Sequence, residues 1–194
     1  MTTLTEIPAL TRSILHELER TVKSIPVEEI ERLVGQIAET GARAGRIFVA
    51  GAGRSGLMLR AFAMRLMHAG FHAYVVGEAV TPGLQAGDLL IIGSGSGETG
   101  SLVHMAAKAK KLGASVALAT VRPDSTIGQM ADTVIAVPAA AKERNDGSAT
   151  TTIQPMGSLF EQSLLLLLDT VVLCCMDRLG IDSAAMFGRH ANLE

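Results

Sequence analysis

Two short stretches combine glycines and hydroxyls in a way that could hold a phosphate. Gly51-Ala52-Gly53-Arg54-Ser55-Gly56 follows an apolar run and leads into helical spacing, and Gly93-Ser94-Gly95-Ser96-Gly97-Glu98-Thr99 repeats that arrangement further on. Free amides and the positive dipole end at a helix N-terminus stabilise an anion by about 0.3–1 kcal/mol. A helix cap needs one hydroxyl, whereas Ser94, Ser96 and Thr99 supply three, so the second loop points to a bound phosphate beyond mere capping. It has no Walker A lysine, and no nucleoside triphosphate is implied. The first loop formally satisfies GxGxxG, with Glu78 standing 22 residues beyond Gly56, about where a dinucleotide fold keeps its ribose-binding acid. On pattern alone an NAD site stays open.

Acid–base candidates are fewer. Glu161 lies near the start of a mostly apolar segment, but Ser158-Leu159-Phe160-Glu161 also reads as a capping box, with Glu161 reaching back to the Ser158 amide. His190 stands in a short terminal stretch beside Arg189 and close to Glu194. Arg54 either meets an anion in the crevice or pairs with a carboxylate at the helix start. Glu78, Thr81 and Glu98 are expected to flank the same crevice. His16, His68 and His104 fall on expected helices as surface or satisfied residues, and His72 opens a strand. No pair of histidines has metal-ligand spacing with nearby carboxylates, so no metal site is expected. The Met-rich stretch 57–67 is expected to be core.

The elements that must position these residues follow from periodicity. Residues 1–42 read as two helices, with Pro26 in the first turn of the second and Gly41 ending it. Residues 46–137 alternate short apolar runs, expected as strands at 47–50, 73–76, 89–92, 115–118 and 133–137, with helices near 55–69, 99–112 and 125–131. Near-continuous apolar strands alternating with helices predict a parallel, doubly wound sheet. If its first and third strands are neighbours at a topological switch point, both glycine loops open onto one crevice. Residues 138–158 form a long polar loop with hydroxyls at 148–152, of the kind used as a lid or binding loop. A helix over 158–180 and a tail over 181–194 complete what reads as a single domain.

Composition narrows the function classes. The 194-residue chain is 48% apolar and 19% charged with a net charge of −2, which supplies a core and excludes a disordered chain. With five Phe, one Tyr and no Trp, and with no basic patch, nucleic-acid binding is disfavoured. The only cysteines, Cys174 and Cys175, are adjacent on a helix and cannot easily bridge each other, which suits a reducing compartment. No signal peptide is evident at the N-terminus. The greasiest stretch, 159–176, carries Glu161 and Asp169 and reads as a buried or subunit-contact helix rather than a bilayer span. A cytoplasmic protein is expected.

Three groups of residues carry a family resemblance. The two glycine loops, Gln154-Pro155-Met156-Gly157-Ser158-Leu159-Phe160-Glu161-Gln162 and the terminal Arg189-His190-Ala191-Asn192-Leu193-Glu194 resemble the 6-phospho-3-hexuloisomerases of the sugar isomerase (SIS) superfamily. The serine-rich loop is shared across the superfamily, and the other two segments point to the hexuloisomerases. The resemblance implies a three-layer αβα sandwich around a five-stranded parallel sheet, a homotetramer with shared active sites, and no cofactor or metal. It implies isomerisation of D-arabino-hex-3-ulose 6-phosphate to D-fructose 6-phosphate in the ribulose monophosphate pathway, after the synthase that joins formaldehyde to ribulose 5-phosphate. In that setting Gly53, Arg54, Ser55, Ser94, Ser96 and Thr99 are expected to bind substrate and phosphate. Glu161 is expected as the base and His190 as the proton shuttle, the tail docking on the body or on a neighbouring subunit. Other readings stay open: another phosphosugar aldose–ketose isomerase, a non-catalytic sugar-phosphate sensor, or a dinucleotide-dependent oxidoreductase.

Overall fold

The computed structural model describes residues 6–140 and 152–193. Residues 141–151, which hold most of the expected hydroxyl-rich loop, and Glu194 lie outside the described residues.

Five parallel strands form one sheet in the order β2-β1-β3-β4-β5, with β1 at Arg46–Gly51, β2 at His72–Val75, β3 at Leu89–Gly93, β4 at Ser115–Thr120 and β5 at Thr133–Ala136. The apolar runs become strands because both sheet faces are covered, and β3 is buried at every position. Alternation sorts the side chains: Ile47, Val49, Leu89, Ile91 and Ile135 enter one core with α2 (Val27–Ala42), α3 (Gly53–His68) and α6 (Ser158–Leu179). Phe48, Ala50, Leu90, Ile92 and Leu118 enter a second core with α4 (Gly100–Lys111) and α5 (Thr126–Met130). These two layers and the sheet make the expected αβα sandwich. β1 and β3 are direct neighbours, with Gly51 in register with Gly93. α3 leaves β1 toward one face and α4 leaves β3 toward the other, so the switch point lies between the two glycine loops.

α1 (Ile7–Lys23) packs on α6, which also touches α2 and α3. α6 is long and apolar enough by composition to cross a membrane, yet half of its apolar window is buried inside the protein. Leu159, Phe160, Leu164, Leu167 and Leu168 are all within the core, each contributing up to about 1.5–3 kcal/mol by burial. The expected tail contains a short helix, α7 (Ser183–Phe187), capped by the Asp182 carboxylate accepting from the Ala185 amide at 2.7 Å.

Several local expectations change. Pro26 is the N-cap of α2 rather than its first turn, and α2 runs past Gly41 to Ala42, the reversal being made by Ala44 at φ 53°. The stretch 57–67 is only half core: Leu59, Phe62, Ala63 and Leu66 are buried, whereas Leu57, Met64 and Met67 are exposed. Its helix has one side against the sheet, and these three residues fall on the other.

Candidate active site

The first loop turns sharply because β1 and α3 approach without side chains between them. A Cβ on Gly56 would stand 2.6 Å from the Gly51 carbonyl oxygen, so the strand and helix meet backbone to backbone. Gly53 takes φ 56° and has open space around it, at the mouth of the loop. The second loop is wired to its neighbours. Ser94 Oγ accepts from the Gly97 amide at 3.1 Å, and Ser96 Oγ accepts from the Glu98 amide at 3.2 Å. Thr120 Oγ1 donates to the Gly95 carbonyl at 3.1 Å, and the Ile127 amide donates to the Gly97 carbonyl at 3.2 Å.

Between the loops lies a cleft of about 530 Å³, lined by Gly53, Arg54 and Ser55 from α3, Ser94, Ser96, Glu98 and Thr99 from the serine loop, Arg122, and Met156, Gly157, Phe160 and Glu161. Six expected binding residues and Glu161 therefore face one volume. The N-termini of α3, α4 and α6 all open onto it, a third positive helix end beyond the two that the glycine loops announce. Arg122 was not singled out by the sequence, since it follows β4 without a motif; only its position after a strand end facing the switch point could have flagged it.

The capping box does not form. Gly157, at φ 83°, is the N-cap of α6 and has no side chain to cap with, so Ser158 is already the first helical residue. Both side chains of the expected box turn instead to Arg54. Arg54 Nη1 donates to Ser158 Oγ at 2.9 Å, and Arg54 Nε lies 3.0 Å from Glu161 Oε2. That carboxylate oxygen is buried and, although in ion-pair contact, receives no aligned hydrogen bond. A buried oxygen with an unclaimed lone pair, facing a cleft, can accept a proton from a bound molecule.

Glu98 serves its neighbour rather than its own helix. Its Oε1 accepts from the Thr126 amide at 2.7 Å at the start of α5. The backbone and side-chain bonds from Thr126 hold its carboxyl below the ordinary value, so it stays an anion. Glu78 and Thr81 do not reach the cleft. Glu78 pairs with Arg60 beside β2, and Thr81 Oγ1 donates to the Val75 carbonyl at 2.5 Å, because β2 is the sheet edge away from β3. Glu78 follows β2 beside β1, on the side where a dinucleotide fold keeps its ribose acid, but its carboxylate is taken by Arg60.

His190 lines another cavity, of about 420 Å³, with Arg65, His68, Asp169 and Phe187. Its ring stacks on His68 at 5.1 Å between centroids, and Arg189 Nη1 donates to the His68 carbonyl at 3.1 Å. The tail therefore docks on its own body, and within one chain His190 is not brought to Glu161. His68 is buried, and burial first, then the neighbouring His190 and Arg65, lowers its pKa. Among the described residues no group of three metal-ligating side chains occurs.

Comparison with known proteins places this geometry. The SIS domain family model matches residues 42–166. The 3-hexulose-6-phosphate isomerase of Bacillus subtilis (strain 168) is 55% identical, over 93% of this chain and 95% of that protein. The 3-hexulose-6-phosphate isomerase of Mycobacterium gastri is 43% identical, over 92% of this chain and 86% of that protein. A crystal structure from Methanococcus jannaschii, from which a 3-hexulose-6-phosphate isomerase function was inferred, superposes with TM-score 0.79 at 34% identity, covering 98% of this chain and 100% of that one.

Proposed function

The chain belongs to the SIS domain family, and from that premise we propose that it is a 3-hexulose-6-phosphate isomerase, converting D-arabino-hex-3-ulose 6-phosphate to D-fructose 6-phosphate. The observation that carries the reading is a cleft of about 530 Å³ onto which three helix N-termini open, with Glu161 in the first turn of one of them and its buried Oε2 without an aligned hydrogen bond. Moving the ketone from C3 to C2 needs the C2 proton removed, an enediolate stabilised, and a proton returned at C3.

Ser94, Ser96 and Thr99, with Gly53 and Ser55 opposite, hold the phosphate by amides and hydroxyls at the starts of α4 and α3. Anchoring that remote group fixes the reacting carbons and turns binding energy into orientation. Glu161 Oε2 takes the C2 proton and returns a proton at C3, and the Arg54 guanidinium beside it steadies the negative charge that moves onto the substrate oxygens. A positioned base of this kind supplies about 10²–10⁴-fold in rate.

His190 assists proton transfer in the cleft of a neighbouring subunit, since its own chain keeps it on a separate face. The active assembly is a homotetramer. Support comes from the apolar side chains left uncovered around that face, Met64 and Met67 on α3, Leu173 on α6 and Phe187 on α7. The protein acts in the cytoplasm, in the ribulose monophosphate pathway of formaldehyde fixation, next to 3-hexulose-6-phosphate synthase. The unbridged Cys174 and Cys175 fit that compartment.

The testing experiment is turnover on hexulose 6-phosphate made in situ from formaldehyde and ribulose 5-phosphate. Fructose 6-phosphate is the expected product. Its absence, together with conversion of an aldose phosphate, would point to an aldose–ketose isomerase instead.

A further inference from the structure

The segment that enters α6 is held in an unfavourable shape. Met156 has φ 57°, a left-handed conformation that side-chain-bearing residues rarely adopt, and Gly157 follows at φ 83°. Both residues line the cleft, and Gly157 is the N-cap of the helix that carries Ser158 and Glu161. The Ser158 amide donates to the Pro155 carbonyl at 3.0 Å and the Glu161 amide to the Gly157 carbonyl at 3.1 Å, so this turn sets where the first coil of α6 begins.

Such backbone strain persists only where the surroundings over-determine it. The surroundings here are one carboxylate on a helix outside the matched SIS region. Glu17, on α1, accepts from Thr152 Oγ1 at 2.6 Å, from the Ile153 amide at 2.9 Å and from Gln154 Nε2 at 2.9 Å. Thr152 Oγ1 accepts in turn from the Gln154 amide at 3.0 Å, and Gln154 is buried. Three consecutive residues are thus pinned immediately before the strained turn. Burial pushes the Glu17 carboxyl up, but the bonds from Thr152, Gln154 and Ile153, with Arg20 nearby, bring it below the ordinary value and keep it charged.

We propose that Glu17 is a positioning residue for Glu161: by clamping residues 152–154 it holds the Met156–Gly157 turn and so fixes the first turn of α6 at the cleft. The inference rests on the isomerase reading for its activity readout. Glu17 touches neither phosphate loop, so its loss separates orientation of the base from phosphate binding. The N-terminal helix pair thereby has a part in the chemistry besides packing.

The test compares wild type with Glu17→Gln, alone and combined with Met156→Gly. Glycine adopts φ near 57° freely, so the turn should depend less on the clamp once Met156 is replaced. Glu17→Gln is expected to lower kcat about ten-fold, the scale of a modest misplacement of a reacting group, with fructose 6-phosphate affinity changed less than about two-fold. Adding Met156→Gly to Glu17→Gln is expected to recover a clear part of that loss. Amide hydrogen exchange over 153–157 should quicken in Glu17→Gln while the strands keep their protection. Unchanged kcat and unchanged exchange in Glu17→Gln would overturn the proposal, as would loss of kcat and affinity together without recovery by Met156→Gly. If wild type itself fails to turn over, the isomerase reading falls, and the exchange at 153–157 still decides the clamp.

Discussion

A single guanidinium spans the first turn of α6: Arg54 Nε stands 3.0 Å from Glu161 Oε2, while Arg54 Nη1 donates to Ser158 Oγ at 2.9 Å. The planar fork of arginine reaches both groups at once, and lysine would offer one point charge. The Arg54 side chain is 54% exposed, so the pair adds little to stability, on the order of 1 kcal/mol or less. Arg54→Lys is therefore expected to leave the melting temperature within a few degrees while lowering kcat about ten-fold or more. Thermal unfolding and steady-state kinetics on the same preparation check it. Full activity in the variant would show that the ion pair has no part in orienting Glu161.

Both serine hydroxyls of the serine loop accept from a loop amide, and they differ in exposure. Ser96 is exposed, whereas Ser94 is buried and accepts from the Gly97 amide. Loss of one hydrogen bond to a charged phosphate costs about 1.5–3 kcal/mol, so Ser96→Ala should weaken fructose 6-phosphate binding by about 10–100-fold. Ser94→Ala should weaken binding and also lower the melting temperature. Isothermal titration separates the two, and unchanged affinity in Ser96→Ala would remove that hydroxyl from the phosphate site.

Acid stability has an identifiable source at the other end of β1. Asp88 accepts from the Arg46 amide at 2.9 Å, from Arg46 Nη2 at 2.8 Å and from the Gln85 amide at 2.8 Å. Burial raises its carboxyl pKa, but the side-chain and backbone bonds from Arg46 outweigh that and leave it lowered. A lowered folded pKa gives stability that is complete above the unfolded value, about 4, and is lost as pH falls through the folded value. Urea unfolding from pH 7 downward should show that loss below about pH 4, and Asp88→Asn should be destabilised by about 3 kcal/mol at pH 7. An equally stable Asp88→Asn protein would contradict the assignment.

His68 has the same sign of linkage for a different reason. Its pKa is lowered by burial, by His190 and by Arg65, so the docked tail is favoured above the ordinary histidine value of about 6.5 and loosened as pH falls below it. Protection factors for amide exchange in α7 and the residues after it, corrected for the intrinsic pH dependence, should fall between about pH 7 and pH 5, while β1 and β3 keep their protection. A pH-independent protection factor there would separate the tail from His68.

The parallel sheet and its switch point were legible because β1, β3 and β4 are apolar runs buried on both faces, a pattern that local residue types dictate. Both glycine loops were legible for the same reason: close backbone approach and amide donors leave a composition behind. The capping box misled because Ser158 and Glu161 satisfy it by type, while the backbone turn at Met156 and Gly157 and the reach of Arg54 across the fold decide their partners. Glu78 misled because its strand, though beside β1, lies away from the β1–β3 cleft, and Arg60 takes its carboxylate. Glu17 left no trace in the sequence, because it acts on residues more than a hundred positions away.

The central claim is that Glu161 moves a proton at C3 of a ketose phosphate. Fructose 6-phosphate incubated with the protein in deuterium oxide tests this by proton NMR, needing no pathway partner. Wild type should replace the C3 proton by deuterium through the 2,3-enediolate, and Glu161→Gln should slow that exchange by at least about 100-fold while still binding the sugar phosphate. Exchange at C1 in place of C3, or undiminished C3 exchange in Glu161→Gln, would contradict it.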